Sequence, residues 1–229
     1  METDRNETAS RAALRRLLLA CGVLSSLLYV ATDVAAAMRW DGYSYAAQFI
    51  SELMSVEAPT RPFVVRLFFA YGVLVTAFGV GVVMSAGANR RLRIAGGLIV
   101  GYATVGYIGL LFFPMHLRGA LPALTATDVV HMILAGVILV LTFAFVDLGA
   151  RATGAPFRRY SIGTIVVLLI SAVLIAREAP RLGARMPTPW LGIEERVTAY
   201  ASVLWLLALA VALFRRGPAR AYLLRWRRA

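Results

Sequence analysis

Apolar residues run along the chain in six long blocks, at residues 14–38, 62–86, 92–113, 129–150, 162–176 and 197–214, separated by polar connections. A helix needs about 20 mostly apolar residues to cross the hydrocarbon core of a bilayer. Backbone that cannot satisfy itself is not tolerated there, which leaves helices as the reading of such blocks. The pattern predicts an all-α membrane protein, a bundle of six transmembrane helices. Its fifth block is the shortest, and that helix is expected to begin near Phe157. Around the bundle, residues 1–12 read as a disordered cytoplasmic tail, 13–216 as the six-helix domain and 217–229 as a basic cytoplasmic tail. In the last tail, arginines interleave with Tyr222, Leu223, Leu224 and Trp226, a composition that suits an anionic membrane surface.

Between the first two blocks the pattern changes. Ser44, Gln48, Ser51, Glu52 and Ser55 fall on one stripe, with Phe49, Ile50, Leu53 and Met54 on the other side. That is the rhythm of an amphipathic helix. Residues 43–57 are therefore expected to form an extracytoplasmic amphipathic helix between helices 1 and 2, lying at the interface or capping the bundle.

Composition supports the membrane reading. The chain of 229 residues is 60% hydrophobic with a mean hydropathy of +0.73, against roughly 45–50% apolar in soluble domains. Net charge is +12, and all 24 basic residues are Arg. The arginines gather at the ends of apolar blocks, so they read as topology anchors for the lipid bilayer, and nucleic acid is excluded as a partner. Sixteen fall on the side of the two termini and the turns near Asn89 and Gly154, and eight on the other side. This skew predicts that both termini are cytoplasmic, and the expected location is a bacterial cytoplasmic (inner) membrane, crossed several times. Arg15-Arg16, the apolar run and Ala35-Ala36-Ala37 also imitate a cleavable signal; cleavage would leave five helices and an outside N-terminus, so the six-helix reading expects the segment to stay. Cys21 is the single cysteine, which excludes an internal disulfide and a thiolate metal cluster. Gly97-x-x-x-Gly101 is a small-residue pattern for close helix packing, and no glycine-rich phosphate loop is present.

Against this apolar background the ionisable residues are one-sided. Asp33, Glu52, His116, Asp128, His131, Glu194 and Glu195 all map to the outer end of the predicted bundle. Ionisable groups near bilayer depth tend to mark function. Asp33 is about one turn below the interface, with Arg39 and Arg66 as local pairing candidates. Thr127 or Asp128 can cap the fourth helix, while Asp128 and His131 are spaced i, i+3 and share a face. In a catalytic reading His131 is the acid or base and Asp128 orients it, with Glu52, Glu195 and Asp33 as further carboxylates. Ser51, His116, Arg196 and Tyr43 would then contact substrate. His116, His131 and Asp128 are also the candidate metal ligands, with zinc the ion such a set would take. No cofactor is firmly implied.

Three functions fit these residues: an acid–base enzyme, metal-assisted or not, on a lipid or other amphipathic small molecule; a transporter or binding protein; and a structural or interaction protein whose polar residues only cap helices and lock loops. Acids at helix starts, as at Asp128, Glu194 and Glu195, are expected from the helix dipole alone. Asp33, Glu52, His116 and His131 have no such explanation.

Ser51-Glu52-Leu53, the Phe113-Pro114 stop followed by His116, the Asp128/His131 helix start and Gly192…Glu195-Arg196 ahead of Trp205 occur in an order that resembles the membrane family known as domain of unknown function 998. The resemblance covers about two thirds of the chain. It implies a six-helix membrane domain and no established activity. A more distant likeness is to the membrane hydrolases that include alkaline ceramidases, which combine Ser, Asp and three His around zinc. This chain has two His in all, and none in its last helices.

Overall fold

The computed structural model describes residues 2–184 and 186–215. Six helices follow in order: α1 (Glu2–Ala37), α2 (Arg61–Ser85), α3 (Arg90–Phe112), α4 (Ala126–Ala152), α5 (Ala155–Gly183) and α6 (Leu191–Phe214). Each contains a span of 23 to 29 residues long and apolar enough to cross a membrane. No strand occurs among the described residues. The predicted six-helix membrane architecture is therefore what the chain forms. α1 runs from Glu2, through the segment read from the sequence as a tail. The basic tail 217–229 lies outside the described residues. α5 starts at Ala155, ahead of Phe157, with Pro156 in its first turn, where a missing N–H leaves no bond unmade.

Residues 43–57 depart from expectation. They form turns and one short 3-10 helix, Ile50–Met54, in place of a continuous amphipathic helix. The reason is competition for the backbone. Carbonyls of Tyr45 and Gln48 accept from the Arg196 side chain, that of Ala46 accepts from Ile193 N–H, and the Ile50 N–H goes to the Glu195 carboxylate. Groups held by α6 are not available for a regular i to i−4 ladder.

Consecutive helices pack as neighbours, and α6 returns against α1 to close the bundle. An aromatic line threads the interior. Tyr29 on α1 stacks on Phe68 of α2 at 5.1 Å, and Tyr71 and Tyr102 hydroxyls meet at 3.0 Å between α2 and α3. Tyr102 then meets Phe145 of α4 edge-on, and Phe145 meets Trp205 of α6 at 5.3 Å. Trp205 is fully buried and its indole N–H donates to Ser161 Oγ on α5 at 2.9 Å. Gly149 makes room for it, since an added Cβ would sit 2.6 Å from the indole ring.

The tight contact between α2 and α3 is at Gly79 and Gly96. A Cβ on Gly79 would lie 2.9 Å from the Gly96 carbonyl, and one on Gly96 would lie 2.8 Å from the Gly79 carbonyl. Gly97 and Gly101, which the spacing marked as the packing pair, face open space. One residue of register separates the two faces, and the spacing alone does not say which one turns inward. Gly79→Leu or Gly96→Leu should therefore destabilise the bundle by about 1–3 kcal/mol or more through overpacking. Gly97→Leu should stay within about 0.5 kcal/mol of the parent. Thermal unfolding in one detergent, read side by side for the three variants, checks the contrast.

Candidate functional site

The C-terminal ends of α1, α3 and α5 and the N-terminal ends of α2, α4 and α6 share one end of the bundle, and the ionisable residues are gathered there. At its centre Asp33 of α1 faces Arg196 of α6, with exposures of 0% and 2%. Their contact is bidentate, Nε to Oδ2 at 3.0 Å and a terminal nitrogen to Oδ1 at 2.9 Å. Tyr45 and Tyr200 hydroxyls also donate to Oδ2, at 2.9 and 2.6 Å. The remaining guanidinium hydrogens go to the Tyr43 hydroxyl at 2.7 Å and to the carbonyls of Tyr45, Gln48 and Gly192 at 2.8, 3.0 and 3.1 Å. Arg196 also lies on the Tyr45 ring, 3.6 Å from its centroid. Planar, fully partnered guanidinium–carboxylate pairs are the form in which such charges survive burial. Burial pushes the Tyr43 phenol above its ordinary range, so it stays protonated and donates to the Phe49 carbonyl at 2.8 Å.

A second charged pair fastens the connections to one another. Glu52 is buried and takes Arg118 at 2.7 Å, the Phe49 N–H at 3.1 Å and Gln48 Nε2 at 3.1 Å. Arg118 reaches further, to Thr188 Oγ1 and to the Ala47 carbonyl, both at 2.7 Å. It thus ties together all three connections of this end. Gly192 lets the first connection press onto α6: a Cβ there would lie within 2.9 Å of the Tyr45 and Ala46 carbonyls.

The third group lies at the α3–α4 junction. Thr125 is the cap of α4, so the expected cap at Thr127 or Asp128 moves upstream, and Asp128 closes a capping box onto Thr125. Asp128 Oδ1 accepts from the His116 N–H at 2.7 Å and lies 3.2 Å from its ring Nδ1. Oδ2 accepts from the Thr125 N–H and hydroxyl at 2.8 and 2.7 Å. His131 does not join them. Its Nδ1 sits 2.9 Å from the Phe113 carbonyl and ties α4 to the end of α3. Helical spacing put Asp128 and His131 on one face, but the capping box turns the carboxylate back to the loop. The orienting partner of an imidazole here is Asp128 for His116. No group of three His, Cys, Asp or Glu among the described residues is arranged to hold a metal ion, so His116, His131 and Asp128 do not make the open site that their types suggested.

Both oxygens of Asp33, Glu52 and Asp128 are taken up by hydrogen bonds. Glu195 differs. One oxygen accepts from Ile50 N–H, and the other bonds to no described residue. Its side chain is only half-buried, although residue 195 lies on the interior stripe of α6 with Ala199, Ser202, Leu206 and Leu209. The same outer half is incompletely covered elsewhere. On α4 the inward stripe is buried at Thr142, Phe145 and Gly149, yet His131, Ala135 and Ile138 above them are not. Gly106, on the inward stripe of α3 between buried Ala103 and Gly109, would meet nothing within 4 Å if it gained a Cβ. Tyr29, within electrostatic range of Glu195, is also half-buried, and its hydroxyl bonds to no described residue.

The structure thus brings Asp33, Arg196 and Tyr43 into one cluster, Glu52 with Arg118 into a second, and Asp128 with His116 into a third. Ser51 is half-buried and forms no side-chain hydrogen bond, and His131 stands apart. Asp33 pairs with neither Arg39, which turns to the Ala35 carbonyl and the Phe63 ring, nor Arg66. Sequence reasoning missed Tyr45, Arg118, Thr125 and Tyr29. Only Thr125 had a readable signal, a threonine three residues ahead of an acid at a helix start.

A bundle of six apolar helices with a charged, hydrogen-bonded cap at one end defines a polytopic membrane protein. The chain belongs to the DUF998 family of proteins of unknown function, whose model matches residues 23–212. No curated protein and no solved structure matches it.

Because the first connection rests on Gly192, Gly192→Val should lift residues 45–50 off α6. Limited proteolysis within residues 43–57 should become at least about tenfold faster, the response expected for local opening cheaper by about 1.4 kcal/mol. Equal rates in parent and variant would contradict the packing.

Proposed function

We propose that the protein is a membrane binding protein for an amphipathic small molecule carrying a hydrogen-bond-donating, cationic amine head. One observation carries the reading: among the carboxylates named as catalytic candidates, Asp33, Glu52, Asp128 and Glu195, Glu195 alone keeps an oxygen without a described partner, on the inward face of an incompletely covered outer half; Glu194, outside that set, also has an unpartnered Oε2. The Tyr29 hydroxyl, within electrostatic range of Glu195, likewise bonds to no described residue. An ammonium group satisfies a carboxylate and a phenol together, and the faces of Tyr29, Phe68, Tyr71 and Tyr102 attract the same charge. Apolar residues around them suit an alkyl chain.

Binding is favoured over acid–base catalysis by how the other groups are used. Asp33, Glu52 and Asp128 hold the cap together, and among the described residues His131 has no carboxylate to orient it. A general base needs a free position within reach of the proton it takes. In this reading the arginine-rich end, with Arg90, Arg91, Arg93, Arg151, Arg158, Arg159 and Arg215, faces the cytoplasm and the cap faces outward, as the arginine skew favours.

The test uses purified protein in detergent and three probes of one chain length: dodecylamine, dodecanol and dodecanoate. Dodecylamine is expected to raise the melting temperature of the parent, and the other two to leave it unchanged. At 100 times its dissociation constant a ligand adds about 2.7 kcal/mol, a shift of roughly 5–11 °C for a chain of this size. Glu195→Gln should fold and lose the response, whereas His131→Gln should keep it. A response that survives Glu195→Gln, or one shared by dodecanoate, defeats the proposal.

A further inference from the structure

At the arginine-rich end a groove runs between α5 and α6, with a volume of about 530 Å³. Phe157, Tyr160, Leu204, Ala208 and Val211 form its walls and Arg215 stands at its mouth. Its origin is local. The Trp205–Ser161 hydrogen bond holds the two helices together on their inward sides. On the outward side, Ala208 and Ala212 of α6 are too small to fill the space between the helices.

We propose that this groove binds an anionic phospholipid, one acyl chain in the apolar slot and its phosphate at Arg159 and Arg215. Charge complementarity selects the occupant. Arg158, Arg159 and Arg215 are exposed, and none pairs with a described carboxylate; Asp147, an acid of α4 at this end, is engaged by Arg151 at 2.8 Å. Arg159 belongs to the same turn of α5 as Phe157 and Tyr160. Long arginine stems can lie along apolar surface while the head reaches the phosphate level. Tyr160 is 41% exposed, and its phenol belongs to the same wall of the groove. Basic clefts between membrane helices are the form that anionic headgroup sites take. A free phosphate leaves the apolar slot unfilled, and a zwitterionic lipid leaves the arginines without net countercharge. This site is separate from Glu195 and stands whether or not that carboxylate binds an amine.

The experiment is native mass spectrometry of the full chain released from detergent. It is titrated separately with dimyristoyl phosphatidylglycerol, dimyristoyl phosphatidylcholine and inorganic phosphate. The glycerol lipid should be retained at least about fivefold better than the choline lipid, the contribution of even one of the two membrane-surface arginines. Inorganic phosphate should leave no adduct. The double variant R159Q/R215Q should bring the preference close to one, and A208F, which fills the slot, should reduce retention of both lipids. Both arginines are exposed, so R159Q/R215Q keeps the test intact if A208F fails to fold. Equal retention of the two lipids by the parent, or an unchanged preference in R159Q/R215Q, overturns the proposal. So does retention of inorganic phosphate in place of lipid, or a parent dimer that A208F dissociates, since a second copy would then fill the groove.

Discussion

Asp33 and Arg196 cannot be removed from water unless each satisfies the other, and most of the cap follows from that requirement. The carboxylate sits near the end of α1 and the guanidinium one turn into α6, so their pairing closes the ring of helices at its first and last members. Five N–H groups on a rigid fork then need acceptors. After Asp33 takes two, the rest draw in the Tyr43 hydroxyl and the carbonyls of Tyr45, Gln48 and Gly192. The first connection is thereby wrapped onto α6 and prevented from forming its own helix. Once it lies there, Glu52 is placed for Arg118, and Arg118 reaches Thr188. A single buried pair thus organises three connections that are far apart in sequence.

The lower and upper halves of the bundle answer to different constraints. Toward the arginine-rich end, Trp205, Phe145 and Gly149 interlock, and the α2–α3 contact is as close as glycine allows. Toward the cap, the inward stripes of α3 and α4 leave Gly106, His131, Ala135 and Ile138 incompletely covered. Rigid walls below and a stapled lid above leave the looser region between them, where Glu195 keeps an unpartnered oxygen. That is the arrangement in which one polar group can orient a ligand that apolar walls hold.

Six spans were legible because hydropathy reports burial in lipid directly, and the gathering of the ionisable groups at one end of the bundle followed from helix alternation. Some members of this polar end, Asp33, Glu52, Asp128 and Arg196 among them, were legible as residues; Tyr45, Arg118 and Thr125 were not, and neither were the pairings. Asp33 and Arg196 are 163 residues apart, and no local pattern selects Arg196 over Arg39 or Arg66. Asp128 and His131 share a helical face, yet the capping box with Thr125 draws the carboxylate to His116. Residues 43–57 have a sound amphipathic rhythm, and what overrides it is the set of acceptors that Arg196 requires. Periodicity describes a segment alone, whereas these outcomes depend on a partner element. Gly97-x-x-x-Gly101 failed for a related reason, as the spacing is satisfied one residue away from the face that packs.

The claim that one buried ion pair organises the cap is tested most directly by a double-mutant cycle on Asp33→Leu and Arg196→Met, read as unfolding free energy in a single detergent. Each single variant leaves an uncompensated buried charge and should lose about 3–5 kcal/mol. The double variant, with no charge left to satisfy, should lose clearly less than the sum, with a coupling of at least about 2 kcal/mol. Additive losses, or single variants within about 0.5 kcal/mol of the parent, would contradict the account.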